Sequence, residues 1–394
     1  MSWIAIYQAL ISQRNADTPF SDGSPFWPGF RGRSRFKLLS TIVEGWYGGH
    51  VIRRSSKVGG MSRMMNALVF DKPAPDASAT RVARVPAPTP APGQVAIAVS
   101  YAGINFKDVM ARRGDPGYVD TWPFVPGLEV AGEVLAVGAG ADGVAVGSRV
   151  VALTNAGGLA EQVVADAELV VPVPDGVSLA EAAAVPGGLT TARLLVHDIG
   201  RVLSGDVIAV HSASGAVGSA VPPLARKIGD VTLVGIVGAA TRVEAAVQAG
   251  YDMAFVRGPG LAESVRSEVG RGVDLVLDPQ GTAWLDEDLA MLRPSGRIVV
   301  FGNAGGGAFD ALPPIGRFFG SNAAVGGFSL AALSAAEPAR VRDAMSQVLR
   351  HMVDGDLVTN LNILRGLEMA ARAQEHLAEG SGTGKYVIHV AGDD

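Results

Sequence analysis

An apolar, strand-like run at 206–211 leads into Ser212-Ala213-Ser214-Gly215-Ala216-Val217-Gly218 and then into a helical pattern. A strand, a tight loop of small residues and a helix in that order belong to a parallel α/β layer, where the loop lets helix fold back on strand. Against the dinucleotide-binding pattern, Ala213, Gly215 and Gly218 hold the three glycine positions. The second lets backbone approach a pyrophosphate, and the third lets helix and strand pack closely. The helix start offers unpaired N–H groups and the positive end of its dipole. Ser214, Gly215, Ala216, Val217 and Gly218 are therefore candidate cofactor-binding residues. Pro222-Pro223 disagrees with a helix running straight from the loop, because an internal proline loses a backbone bond and clashes with the preceding turn. The helix is expected either to kink after one turn or to start later.

The surroundings support the layer. Apolar runs at 207–210, 232–237, 253–256, 275–277 and 298–301 alternate with helical segments near 216–228, 241–249, 260–269 and 282–292. Such alternation predicts a parallel sheet covered on both faces. Upstream, from 66 to about 185, the rhythm is different. Strands are expected at 66–70, 94–100, 131–137, 149–153 and 160–164, with turns at Pro92-Gly93, Gly138-Ala139-Gly140 and Pro174-Asp175-Gly176. From about 331 the pattern returns to helix, near 336–353 and 366–378, then to a strand at 386–390.

The second strand of the parallel layer bears on which dinucleotide binds. An NAD site places Asp or Glu at its end, to accept from the ribose 2′-OH. Here the run ends in Gly238-Ala239-Ala240-Thr241-Arg242, with no carboxylate. A guanidinium matches a 2′-phosphate in geometry and charge, so Arg242, with the Thr241 hydroxyl, points to NADPH.

Composition removes several classes. The chain has no cysteine, which excludes disulfides, thiolate zinc sites and a cysteine nucleophile. Its six histidines show no pair at ligand spacing, so no metal site is expected. A net charge of −5 argues against nucleic-acid or anionic-membrane surfaces. No apolar stretch approaches the roughly 20 residues that span a bilayer. A cytoplasmic protein is expected. Residues 1–60 stand apart, with eight Lys or Arg against three Asp or Glu and no sustained period. They read as an unstructured extension; Asp17 and Asp22 weigh against an organellar leader.

From Asn66 to Val390 several ordered motifs together resemble the medium-chain dehydrogenase/reductase superfamily, in its zinc-free quinone oxidoreductase and enoyl reductase branch. They are Gly103-Ile104-Asn105-Phe106-Lys107-Asp108, Val125-Pro126-Gly127-Leu128-Glu129-Val130-Ala131-Gly132, the glycine loop and Gly188-Leu189-Thr190-Thr191-Ala192. Phe301-Gly302-Asn303, Gly326-Gly327-Phe328-Ser329-Leu330 and Gly384-Lys385-Tyr386-Val387 complete the set. The resemblance implies an α/β protein: a GroES-like β-barrel catalytic domain, 65–185 and 329–394, with a Rossmann dinucleotide-binding domain, 186–328, inserted in it. Zinc alcohol dehydrogenases of this superfamily carry Cys where Asn105 stands and His where Leu128 stands, so the first coordination shell is gone.

The resemblance places Asn105 beside the nicotinamide, Thr191 against it from the other domain, and Phe301, Gly302 and Asn303 at the cofactor. Phe328, Ser329 and Lys385 match positions that close over the nicotinamide or a phosphate. Asn105 and Tyr118 are the candidate catalytic residues, although the loop carrying Tyr118 is longer than in relatives. Lys107 and Asp108 read as a surface ion pair or a helix cap. The expected reaction is hydride transfer from NADPH to a quinone or an activated C=C. Alternatives are an enoyl-thioester reductase and, from another class, a non-catalytic NADPH-binding sensor or interaction protein. A small-molecule substrate and a homodimer are expected.

Overall fold

The computed structural model describes residues 63–306, 309 and 312–391. The expected extension, 1–60, lies outside them. The first described strands, β1 (Met64–Phe70) and β2 (Thr80–Pro86), form an antiparallel pair. A larger sheet follows, from β3 (Gln94–Gly103), β4 (Glu129–Val137), β5 (Arg149–Leu153), β6 (Gln162–Asp166) and β7 (Val170–Pro172). Its side chains alternate: Val95, Ile97 and Val99 of β3 pack in one core with Val130 and Val134 of β4.

The parallel layer contains β8 (Val207–His211), β9 (Thr232–Val237), β10 (Met253–Val256), β11 (Val273–Asp278), β12 (Leu292–Val300) and β13 (Ala324–Gly327). Its order is β10-β9-β8-β11-β12-β13, every pair parallel. That is the doubly wound order of a dinucleotide-binding fold, reversing between β8 and β11. The strands read as continuous apolar runs because both faces are buried. Ile208, Val210, Leu275 and Leu277 enter one core, while Val207, Ala209, Val273 and Val276 enter the other.

The chain then rejoins the first sheet. Of the last strands, β14 (Leu361–Arg365) pairs with β15 (Lys385–His389), and β15 lies antiparallel to β3 with Val387 opposite Gly103. The barrel sheet is thus split in sequence, with the six parallel strands between its parts. Among the described residues no helix is long and apolar enough to cross a membrane.

Several local expectations change. The strand expected at 160–164 is β6, two residues later, because Ala160 instead bridges Ala67 of β1. The last strand of the alternating array starts at Leu292 rather than 298: Pro294-Ser295-Gly296 forms a bulge, with Ser295 at φ 66°, so pairing with β11 resumes beyond it. The double proline does not kink a helix. A 3₁₀ turn, Gly218–Ala220, follows the loop, and the helix begins at Val221. Pro222 and Pro223 fall in its first turn, where N–H groups have no intrahelical partner to lose.

Candidate functional site

The glycine loop leaves β8 through Ser212, which holds a left-handed φ of 57°. Gly215 N–H donates to Ser212 O at 2.9 Å and Ser219 N–H to Gly215 O at 2.8 Å, closing the loop on itself. Gly218 has no room for a side chain, since a Cβ there would lie 2.4 Å from Ser212 O. Its own carbonyl accepts from the buried Tyr251 hydroxyl at 2.7 Å. Ala216 faces Gly188, and Val217 packs on the main core. Ser214 is buried with its hydroxyl unpartnered. A buried, unpartnered hydroxyl in a glycine loop that leads from a strand into a helical turn fits a phosphate of a dinucleotide.

One segment of the barrel laces the expected site together. Gly384 N–H donates to Ser214 O at 3.1 Å, and Gly384 bridges Gly215. Two residues earlier, Gly382 O accepts from Arg242, which lies in the 3₁₀ turn Ala240–Arg242 beside exposed Thr241. One residue later, buried Lys385 turns its ammonium inward. It donates to Ile104 O at 2.8 Å and Asn105 Oδ1 at 3.0 Å, and pairs with Glu129. Gly382–Lys385 therefore touches Arg242, the glycine loop and the Asn105 pocket in succession.

Asn105 precedes the helix Phe106–Arg113. Its Nδ2 donates to Glu129 Oε1 at 2.7 Å, while the other Glu129 oxygen accepts from Gly187 N–H. Of the two readings of Asp108, the helix cap holds and the surface ion pair does not: it is buried, and its carboxylate accepts from the N–H groups of the N-cap residue Asn105 at 2.8 Å and of Gly127 at 3.2 Å. Burial pushes its pKa up to about 6, against those hydrogen bonds and the Lys385 and Lys107 charges. The donor set here does not suit zinc. It comprises a carboxamide, a carboxylate already paired with an ammonium, and the alkyl Leu128.

The remaining expected residues occupy several places. Thr191 is buried in the helix Thr190–Leu194, just after a wide turn, Val185–Leu189, that contains Gly187. Phe301 leaves β12 with its N–H on Asp278 O at 2.8 Å, and Gly302 passes close to Pro279. Buried Asn303 approaches Gly281. These sit at the carboxyl ends of β11 and β12, where open α/β sheets take ligands. Phe328 packs on the main core, and Ser329 caps the helix Leu330–Ala336 through Ala332 N–H. Tyr118 lies half-buried on the barrel core beside Val119, Trp122 and Phe124. Burial, reinforced by Asp115, raises its pKa, so it keeps its proton at neutral pH.

Sequence reasoning missed a second cluster. His211, the last residue of β8, Asp278, the last of β11, and Asp288, in the helix Leu285–Met291, are fully or almost fully buried together. His211 Nε2 and Asp288 Oδ1 are 2.9 Å apart. The histidine spacing hid this, because the partners are aspartates brought in by the fold. Glu129 was quoted in a motif but given no role; its place beside the absent His position was the available signal.

Comparisons with known proteins agree with this architecture. Residues 91–175 match the alcohol dehydrogenase GroES-like domain, and residues 216–350 match the zinc-binding dehydrogenase family. The Mus musculus synaptic vesicle membrane protein VAT-1 homolog-like is 34% identical over 224 residues, 57% of this chain. The match spans only 53% of that protein's length. Quinone oxidoreductase-like protein 2 of Mus musculus is 30% identical over 305 residues, 77% of this chain and 87% of that one. The solved structure of mycobacterial Rv1454c complexed with NADPH has a TM-score of 0.75 at 28% identity, covering 82% of this chain and 99% of that chain. With its split GroES-like barrel, its doubly wound sheet and these likenesses, the chain belongs to the medium-chain dehydrogenase/reductase superfamily, in the quinone oxidoreductase-like branch.

Proposed function

We propose that this chain is an NADPH-dependent oxidoreductase that reduces a quinone or a C=C conjugated to a carbonyl, without zinc. The observation that carries the reading is the Gly382–Lys385 segment, which joins Arg242, the glycine loop and the Asn105 pocket into one continuous track. A relative solved with NADPH supports the cofactor, as does the lack of a carboxylate in the stretch Gly238–Arg242 after β9. NADPH, when bound, supplies the hydride.

The protein's part is binding, orientation and charge. The amides of the glycine loop and the Ser214 hydroxyl take the pyrophosphate, and Arg242 with Thr241 takes the 2′-phosphate end. Thr191, Phe301, Gly302, Asn303, Phe328 and Ser329 line the nicotinamide half. Asn105 is held by two partners: Lys385 fixes its carbonyl oxygen and Glu129 takes one of its two N–H bonds. The second N–H remains to donate to the substrate oxygen, where negative charge develops. An acceptor already activated by conjugation needs no Lewis acid beyond such donors.

NADPH oxidation by the full chain, run against panels of quinones and of α,β-unsaturated carbonyls, tests the reading. Turnover with at least one panel and loss of kcat in Asn105→Ala are expected. Tight NADPH binding with no turnover on either panel sinks it. Tyr118→Phe in the same assay locates the proton: a fall in kcat of about 10²-fold assigns it to Tyr118, and a change of less than about threefold assigns it to solvent.

A further inference from the structure

Arg257 directly follows β10, and its backbone N–H donates to Val237 O at 2.8 Å, which sets it beside the end of β9. Its side chain does not run out into solvent. The guanidinium carbon stands 5.8 Å from the Trp284 ring centroid, within cation–π range. Nη2 lies 3.2 Å from where a Cβ on Gly238 would sit, so a side chain there would crowd it. Nη1 is buried without an acceptor. Burial lowers the guanidinium's pKa, opposed by the charges of Asp278 and Asp288. The arginine thus reaches from β10 over the end of β9 towards the elements that carry His211, Asp278 and Asp288.

Those three side chains have the composition of a metal site, with one ligand atom from each lying within 4.8 Å of the others. The charges around them argue otherwise. His211 already contacts Asp288, and one ligand atom of Asp278 lies within 4.8 Å of both. Two carboxylates buried this close do not both ionise readily, and a negative charge left there needs a cation. Arg257, stacked on Trp284 just before the helix that carries Asp288, is a nearby cation, and a divalent ion would add its charge beside that guanidinium.

We propose that the buried His211–Asp288–Asp278 network is a brace that holds the Arg257 guanidinium over the carboxyl end of β9, where Arg257 takes the cofactor's 2′-phosphate together with Arg242. The inference rests on the NADPH reading above. It assigns Arg257 as a specificity-determining residue and the three buried groups as positioning residues. At this place an NAD site carries an acid for the ribose 2′-OH; here a glycine clears the space and an arginine from the next strand fills it. Arg242 spends one donor on Gly382 O, so a second guanidinium supplies the forked contact that a phosphate takes best.

The test uses binding of 2′,5′-ADP and 5′-AMP to the full chain, probes that differ by the 2′-phosphate and need no hydride chemistry. Arg257→Leu is expected to weaken 2′,5′-ADP about tenfold or more, the worth of one charge-assisted hydrogen bond, and 5′-AMP by less than about twofold. Arg257→Lys recovers part of the loss. Asp288→Asn, followed by thermal melting to confirm folding, moves the same ratio in the same direction. Equal losses for both probes, or none, overturn the assignment. A ratio lost in Arg257→Leu but untouched in a folded Asp288→Asn overturns the brace. One zinc ion bound per wild-type chain and none by Asp288→Asn shows a metal site and overturns it too. If Asp288→Asn does not fold, the contrast between the Leu and Lys variants still decides the role of Arg257. Wild-type protein indifferent to the 2′-phosphate removes the NADPH reading itself, whereas discrimination that survives Arg257→Leu removes only this inference.

Discussion

The barrel and the parallel sheet each bury a cluster of charged groups, and each neutralises it differently. In the barrel, Lys385 is the buried cation and touches its partners directly: Glu129, Asn105 Oδ1 and Ile104 O. Asp108 stands beside them with two backbone N–H donors. At the carboxyl end of the parallel sheet the cation, Arg257, makes no hydrogen bond to Asp278 or Asp288 and acts on them across a gap. Burial therefore pushes both Asp278 and Asp288 up to about 7, and it pushes His211 down to about 4. A cation in contact fixes geometry. A cation held off leaves the acids to keep protons, and so makes the region sensitive to pH.

The largest expected effect comes from breaking the barrel pair. Lys385→Met leaves the Glu129 carboxylate buried without its cation and removes the donor to Asn105. A loss of roughly 3–5 kcal/mol in denaturant unfolding is expected, because an uncompensated buried charge costs more than the pair contributes. Lys385→Met combined with Glu129→Leu should recover most of that loss, as apolar replacement of a whole buried pair is often neutral or better. A double variant as unstable as the single one contradicts the view that the unpaired charge is the penalty.

The sheet cluster gives a smaller, pH-dependent effect. Asp278 and Asp288 titrate near 7 when folded, against 3.8 ordinarily. Their stabilising contribution is complete below about pH 4 and is lost as pH rises through about 7. His211 works the other way: its contribution is present above about 6.5 and is lost as pH falls through about 4. Between about pH 6.5 and 7.5 only the aspartates act strongly, so wild-type Tm is expected to fall by a few degrees. Asp288→Asn should flatten that decline. Asp108, pushed up only to about 6, has largely finished titrating by then. A decline that is just as steep in Asp288→Asn places the titrating group elsewhere.

The same contrast explains what was legible in the sequence. The alternating apolar runs and the loop 212–218 are local patterns, and the parallel strands 232–237 and 253–256 appear where the runs predict them. Asn105 and Lys385 stood in ordered motifs and Arg242 at the end of the second parallel run, so their neighbourhood was visible before their contacts were. His211, Asp278, Asp288 and Arg257 each end or follow a strand, or sit on a later helix, 77 residues apart in the case of His211 and Asp288. Only the β10-β9-β8-β11 order brings them together. For Asp108 the helix cap was legible from its place three residues after Asn105, whereas its burial and its second amide partner, Gly127, carry no residue signature. Pro222-Pro223 looked like a fault because sequence does not show that a 3₁₀ turn precedes the helix.

The smallest effect separates two routes from the sheet cluster to the cofactor. Gln280 links the cluster to the glycine loop: its backbone N–H donates to Asp278 Oδ1 at 2.7 Å, and its side chain to Ser212 Oγ at 2.9 Å. Gln280→Ala keeps the first bond and removes the second, a half-buried contact worth about 1 kcal/mol in stability. If the cluster acts through Arg257, the ratio of 2′,5′-ADP to 5′-AMP affinity stays where it was, because Ser212 opens the glycine loop, which the proposal gives to the pyrophosphate and not to the 2′-phosphate. Both probes then weaken together, by less than about threefold, since losing one neutral hydrogen bond shifts the loop slightly and the glycine amides remain. A ratio that falls in Gln280→Ala as far as in Arg257→Leu would carry the influence through the loop, and the two clusters would then differ in strength rather than in the way they hold their cations.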